Sequence, residues 1–348
     1  MRSYGSAIEG IRMRLFAYIA QRTALSLISL VGVVTFVFVL THLLPGNPLL
    51  VKVTQASPEI FEQINRRLGL DRPLGEQYFD YMTGILHGDL GKSWVTNRPV
   101  LTDLQARLPA SLELAVYGTI LSIVIGLPLG ILAAVKKDTW IDYLARLIGA
   151  LGVSTPVFWL GLILIYVFFF NLGWAAAPLG RLSIRFSSPP PVTGFLTIDT
   201  LLAGDFEAFG DAFAHAVLPA ITLAIIELPV ILRLTRATMI EVLQQDYITT
   251  ARALGLPYYR IVLKDGLQNS LVSILTVTGL IFAYLVAGSV LVERVFSWPG
   301  VGLYAYQSLT NNDFAAIQAF VMVTSVLYIS INWLTDILYG IVDPRIRT

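Results

Sequence analysis

The chain of 348 residues contains no cysteine. Disulfides, thiolate metal ligands and cysteine nucleophiles are therefore excluded. Charge is scarce, at 14% of residues, where a soluble domain carries about a quarter. Neither sign is in excess: 24 Lys and Arg face 23 Asp and Glu, for a net charge of +1. That balance offers no polyanion-binding surface and no basic tail for nucleic acid. Histidine is also rare. His42, His87 and His215 lie far apart, and no two have the helical spacing of metal ligands, so a nickel or zinc site within this chain is not expected. What the chain has in quantity is apolar surface, 55% of residues and a mean hydropathy of +0.71. This is the composition of a polytopic membrane protein.

The gaps between charges mark six spans. They are Thr23–Thr41, Leu114–Val135, a third with its core at Ile148–Phe170, Leu218–Met239, Gly266–Val292 and Phe314–Thr335. Each supplies the roughly 20 apolar residues that cross a bilayer. The fourth is interrupted by Glu227, Arg233 and Arg236. Six spans place both termini on one side. Lys and Arg are roughly two- to threefold denser in segments 1–22, 136–146, 233–264 and 341–348 than in the intervening connectors, so those segments and both termini are expected in the cytoplasm. Leu44-Pro45-Gly46 directly follows the first span and resembles no peptidase site, so that span reads as an uncleaved anchor. Pro128, Pro156, Pro219 and Pro229 fall at membrane depth, where neighbours or water must satisfy the freed carbonyls. Gly126, Gly130, Gly149 and Gly152 give faces suited to close packing against a partner subunit.

The first outer connector, 44–108, carries two amphipathic patterns. Ser57 can cap a helix that opens at Pro58 and repeats Ile60, Ile64 and Leu68 on one face; a second runs from Leu74 to Leu86 and ends at Gly88. Next comes Gly88-Asp89-Leu90-Gly91-Lys92-Ser93, which invites a phosphate-loop reading. A phosphate loop needs glycine where Leu86 stands, and a buried strand before it. The string reads as a turn, and ATP hydrolysis must belong to another subunit. The second outer connector, Leu172–His215, has no strong period and reads as a loop.

The most informative segment is a polar island, Asp246 to Gln268, between two apolar spans. Tyr247–Leu254 lacks Gly and Pro and can form about two helical turns. Gly255 fits the stop, and Pro257 prevents simple continuation. The segment resembles the coupling (EAA) loop of ABC-importer permeases: Thr249, Thr250 and Ala251 stand at the E-A-A places and Gly255 at the glycine. Only Ala251 and Gly255 match literally, and of the later I-x-L-P only Leu267 survives. Both departures are similar to the dipeptide/oligopeptide/nickel branch, whose loops read D-Y-x-x-T-A-R-A-x-G. Asp246, Tyr247, Thr250, Ala251, Arg252, Ala253 and Gly255 fit that form, with Leu254 between.

Three further strings resemble the same branch. Leu44-Pro45-Gly46-Asn47-Pro48 follows the first span. Glu293-Arg294-Val295-Phe296-Ser297-Trp298-Pro299-Gly300-Val301-Gly302 matches E-x-x-F-S-x-P-G-x-G. Asp343-Pro344-Arg345-Ile346-Arg347 matches the D/N-P-R-x-R ending. In the third outer connector, Pro299-Gly300 is expected to turn the chain and Trp298 to anchor at the membrane interface.

The resemblance implies an all-α integral membrane protein with six transmembrane helices in the MetI-like type I importer fold. It implies one permease domain, 1–348, with an extracytoplasmic helical insertion 44–108 and a cytoplasmic coupling loop 240–268. It implies a multi-pass subunit of the bacterial inner membrane that carries dipeptides or oligopeptides, or alternatively nickel complexes, glutathione-like peptides or opines. The implied partners are a second, similar permease, two ATPases that hold ATP and magnesium, and an extracytoplasmic binding protein. This chain itself carries no cofactor, catalytic residue or metal site. A secondary transporter would need coupling carboxylates in several spans and inverted halves, and neither is seen.

Glu227 is the one acid set deep in a span, in Ile226-Glu227-Leu228-Pro229. An unpaired charge there costs about 2.5–3.5 kcal/mol on insertion scales. It is expected either to line the translocation path, meeting the positive end of a substrate, or to contact a polar group on a neighbouring helix.

Overall fold

The computed structural model describes residues 2–43 and 72–342. Among them the ordered elements are helical. They are α1 (Arg2–Leu43), α2 (Leu74–Leu86), α3 (Val100–Val135), α4 (Trp140–Ser154) and α5 (Val157–Leu164), the last continuing as a π-turn segment through Asn171. Then come α6 (Leu196–Leu202), α7 (Phe206–Leu243), α8 (Asp246–Ala253) and α9 (Tyr258–Arg260), which widens into a second π segment, Ile261–Gly266. The chain finishes with α10 (Leu267–Gly288), α11 (Val290–Val295), α12 (Val301–Thr310) and α13 (Phe314–Val342). The expected helix at 58–68 and the strings at 44–48 and 343–347 lie outside the described residues.

Four helices carry stretches long and apolar enough to cross a membrane: Tyr18–Val39, Val100–Val135, Phe206–Leu243 and Phe314–Ile337. Two bent pairs, Trp140–Ser154 with Val157–Asn171 and Tyr258–Leu271 with Ser273–Val286, bring the count to six where each pair is taken as one span. The third span is thus not the single run expected at 148–170. It turns through 103° at Thr155–Pro156. Pro156 has no N–H, and it holds Thr155 in the extended region, at φ −93° and ψ 121°. The side chains of Ser154 and Thr155 donate back to the carbonyls of Ala150 and Leu151, so the broken end satisfies its own acceptors.

The second outer connector is also more ordered than its sequence suggests. It contains α6, and its last residues already belong to α7, which begins twelve residues before the apolar run. Asp205 caps α7 by accepting from the Ala208 N–H at 2.9 Å. The polar residues that hide this extension have partners: Asp211 accepts from the N–H and hydroxyl of Ser183, and the His215 ring lies against Asp211.

The α3–α7 contact is the most extensive in the molecule, with α4 laid against α7 beside it. α1, α13 and α10 form a second layer. Glycines expected to face a partner instead close the first layer from within. A Cβ on Gly130 would stand 2.6 Å from the Thr235 Cβ, and one on Gly152 would stand 2.5 Å from Pro229 Cγ. Gly126 likewise meets Ile231, and only Gly149 of the four faces open space. Small residues let helices approach equally well within a subunit and between subunits, which is why sequence could not assign them.

The outer insertion keeps its second amphipathic helix at the expected residues, α2. Tyr78 and Tyr81 pack on Phe38 of α1, and the Tyr78 hydroxyl meets Thr35 at 2.7 Å. The Gly88–Ser93 string is a turn, with Gly88 and Gly91 at positive φ. Where a phosphate loop would hold its ligand, the buried carboxylate of Asp313 accepts from Ser93 Oγ at 2.5 Å and from the N–H groups of Trp94 and Val95.

Candidate coupling helix and outer lock

The polar island forms a short helix that ends as expected. α8 opens at Gln245 and stops at Leu254. The Gly255 N–H donates to Arg252 O and the Leu256 N–H to Ala251 O, which is a Schellman ending. Gly255 sits at φ +74°, a conformation natural to glycine. One side chain, Ile248, is fully buried and anchors α8 to the protein. Asp246, Tyr247, Thr249, Thr250, Arg252, Ala253, Leu254 and Gly255 are exposed, and Ala251 is half-buried. Leu254 is 75% exposed, and Tyr247, Tyr258, Tyr259 and Leu263 are also exposed. Arg252 lies over the Tyr258 ring. Partial burial, then the charge of Asp265, raises the Tyr247 pKa above the usual tyrosine range. The helix thus offers a mixed surface, polar along Asp246, Thr249, Thr250 and Arg252 and apolar at Tyr247 and Leu254, with no group arranged for chemistry.

The Glu293–Gly302 string has the opposite character. Glu293 is fully buried and accepts from the hydroxyls of Ser111 and Ser289, both at 2.7 Å, and from the Leu303 N–H at 2.8 Å. It therefore fixes the N-terminus of α12 from the preceding helix and ties both to α3. Burial pushes its carboxyl above the ordinary range, against those hydrogen bonds. Phe296 is buried, and Ser297 takes a left-handed turn at φ 53°. Pro299 completes the turn. Gly300 and Gly302 are required by space: a Cβ on Gly300 would lie 2.4 Å from both Glu293 Oε2 and Ser111 Oγ, and one on Gly302 2.8 Å from Val290 Cα. Trp298 is not an interfacial anchor. It is 1% exposed, and its indole N–H donates to Ala110 O at 2.8 Å. With a partner for its one polar atom, the ring can sit wholly in the core.

A neighbouring cluster was not legible as a site. Buried Glu113 pairs with Arg181 and accepts from the N–H and hydroxyl of Thr197, pinning the 172–205 connector to α3. Its members are spread across 84 residues, so no local spacing announces them.

Glu227 is 2% exposed. Its carboxylate faces α3, where Ser122 donates at 3.0 Å and Thr119 stands at 3.5 Å. Its carboxylate thus contacts polar groups on a neighbouring helix. Nearer the α8 end of the bundle, Asp142 of α4 and Arg236 of α7 form a two-point pair, Nε to Oδ1 at 2.5 Å and a terminal nitrogen to Oδ2 at 2.7 Å. Among the described residues no three His, Asp or Glu side chains are grouped to hold a metal ion.

Residues 126–348 match the family described as binding-protein-dependent transport system inner membrane component, and residues 15–115 match its N-terminal companion. The chain belongs to this family. The permease is 43% identical to the Escherichia coli K12 protein named "Probable D,D-dipeptide transport system permease protein DdpB", over 96% of this chain and 98% of that protein. It is 40% identical to the di/tripeptide transport system permease protein DppB of Pseudomonas aeruginosa, over 96% and 99%. The glutathione transport system permease protein GsiC of E. coli O6:H1 is 36% identical, over 91% and 94%. Among solved structures, an inward-facing MetNI methionine ABC transporter aligns with a TM-score of 0.51 at 20% identity, covering 70% of this permease and 98% of that chain. That likeness supports the MetI-like helical fold. The permease is an inner-membrane component of a bacterial ABC transport system.

Proposed function

We propose that this permease forms half of the translocation path of an ATP-driven importer for dipeptides, with glutathione-like peptides as the alternative cargo. A second, similar permease supplies the other half. Two cytoplasmic ATPases bind ATP and magnesium, and an extracytoplasmic binding protein delivers the peptide. Both termini and the 240–268 loop lie in the cytoplasm, as the Lys and Arg distribution favours. The outer insertion 44–108 faces the binding protein.

The observation that carries the coupling role is α8: a helix with a glycine stop, one buried anchor, Ile248, and every other side chain wholly or partly uncovered, Tyr247 and Leu254 among them. A fixed helix that leaves such side chains in the open suits a protein partner. Its position at the end of α7 makes it a handle, so that closure of the ATPases can rock the bundle between two packings. The dipeptide assignment rests on the relatives' names and on their nearly full-length match.

Reconstitution in proteoliposomes tests the reading. Labelled dipeptide should enter only when both permeases, both ATPases, the binding protein and ATP are present. Uptake that persists without the ATPases would overturn it.

A further inference from the structure

The most tightly made polar contact on the cytoplasmic side has no part in the reading above. Asp142 is fully buried near the start of α4. Its two oxygens take Arg236 of α7 in a two-point bond, Oδ2 also accepts the Asp138 N–H at 3.0 Å, and Arg146 stands 3.7 Å from Oδ1. Arg236 lies about two turns before α7 ends and gives way to α8. Deeper in the bundle the same two helices close at Gly152 on Pro229, and α3 closes on α7 at Gly130 on Thr235.

These neighbouring contacts are apolar or backbone contacts, which resist separation but not sliding. A planar guanidinium gripping a carboxylate at two points fixes orientation as well as distance. Buried ion pairs add little net stability over an apolar substitute, and their attested use is to specify one register. Here the register joins the rod that ends in α8 to the helix that enters the 103° bend at Thr155–Pro156.

We propose that Asp142 and Arg236 are positioning residues. They make α4 and the inner half of α7 one rigid body, so that displacement of α8 reaches the bent third span. The inference rests on the reading of α8 as the ATPase contact.

Two experiments on the whole complex test it. The double variant Asp142→Asn/Arg236→Met removes the pair without leaving an unpaired charge. The ATPases should still co-purify and hydrolysis should stay within about twofold, while peptide imported per ATP falls at least tenfold. Wild-type import per ATP would overturn the proposal. The second experiment keeps the pair intact. The chain has no cysteine, so Glu241→Cys and Leu147→Cys, both at exposed positions, accept spin labels on α7 and α4 alone. The distance between them should be the same with and without nucleotide. A nucleotide-dependent shift of about one helical turn, ~5 Å, would overturn rigid coupling even if the double variant failed to assemble. Failure of any ATPase to co-purify with the unsubstituted chain would instead sink the parent reading of α8.

Discussion

The two motif-bearing ends of this permease are built in opposite ways. At the outer end, Glu293–Gly302 is buried, and its carboxylate, tryptophan and glycines interlock within a few ångströms. At the inner end, α8 touches the rest of the chain through Ile248 and leaves its remaining side chains largely in the open. Both strings resemble family signatures equally well on paper. The physical demands differ: one string must fit its own chain, and the other is left free of that demand. A signature is therefore not by itself a functional surface, and burial tells the two kinds apart.

That contrast can be broken at several points. The largest effect should come from the outer lock. Glu293→Ala leaves two hydroxyls and at least one N–H without an acceptor, and Gly300→Ala drives a methyl into Glu293 and Ser111. Each should destabilise the subunit by roughly 2–5 kcal/mol, read as loss of the folded, assembled peak on size-exclusion chromatography. Glu293→Gln should fare better, because a neutral amide keeps an acceptor and the carboxyl is already pushed toward its neutral form. The sign is fixed: a buried carboxyl with a raised pKa contributes more to stability at low pH, and the contribution declines as pH rises through that pKa. Wild-type and Glu293→Gln proteins should therefore converge in melting temperature as the pH is lowered.

The inner end should fail differently. Ala251→Arg or Gly255→Leu should leave the permease folded, because little packs around α8 and nothing lies within 4 Å of Gly255. Forcing a side chain to φ +74° costs about 1–2 kcal/mol, too little to unfold the subunit. Uptake should nonetheless fall at least tenfold, with hydrolysis persisting. Loss of assembly in these variants would erase the distinction between the two ends.

A smaller effect is expected from Trp298→Phe, which keeps most of the ring's packing and gives up the bond to Ala110 O. About 1 kcal/mol of stability should go, with uptake unchanged at low temperature. An interfacial anchor would instead respond to bilayer thickness. The smallest change is expected for Glu227→Gln. Ser122 can still donate to the amide oxygen, so assembly and peptide selectivity should hold. Selective loss of free-amine substrates in an intact complex would place Glu227 on the path.

Much of the architecture was legible. Apolar runs with few or no charges located the four long helices and fell on the two bent pairs, because a bilayer punishes charge more strictly than any soluble core does. The α8 stop was legible because Gly255 has a local, backbone reason to be glycine. The bend in the third span was signalled by Pro156, but proline alone does not set an angle. The outward extension of α7 was hidden because Asp205, Asp211 and His215 look like loop residues until their partners, Ala208 and Ser183 among them, are known. Asp142–Arg236 and Glu113–Arg181 were invisible for a related reason: each joins residues far apart in sequence, and neither partner has a spacing that names the other.

α7 has one more consequence. At 38 residues it is about 57 Å long at 1.5 Å per residue, nearly twice the ~30 Å hydrocarbon layer. Its outer end is engaged by Asp205, Ser183 and the outer connectors, and its inner end carries α8. If the rod moves as a unit, linkage is symmetric: a protein that favours one tilt from outside must strengthen whatever inner contact favours the same tilt, and by the same factor. Delivery of cargo and the hold on the motor then become two readings of a single angle.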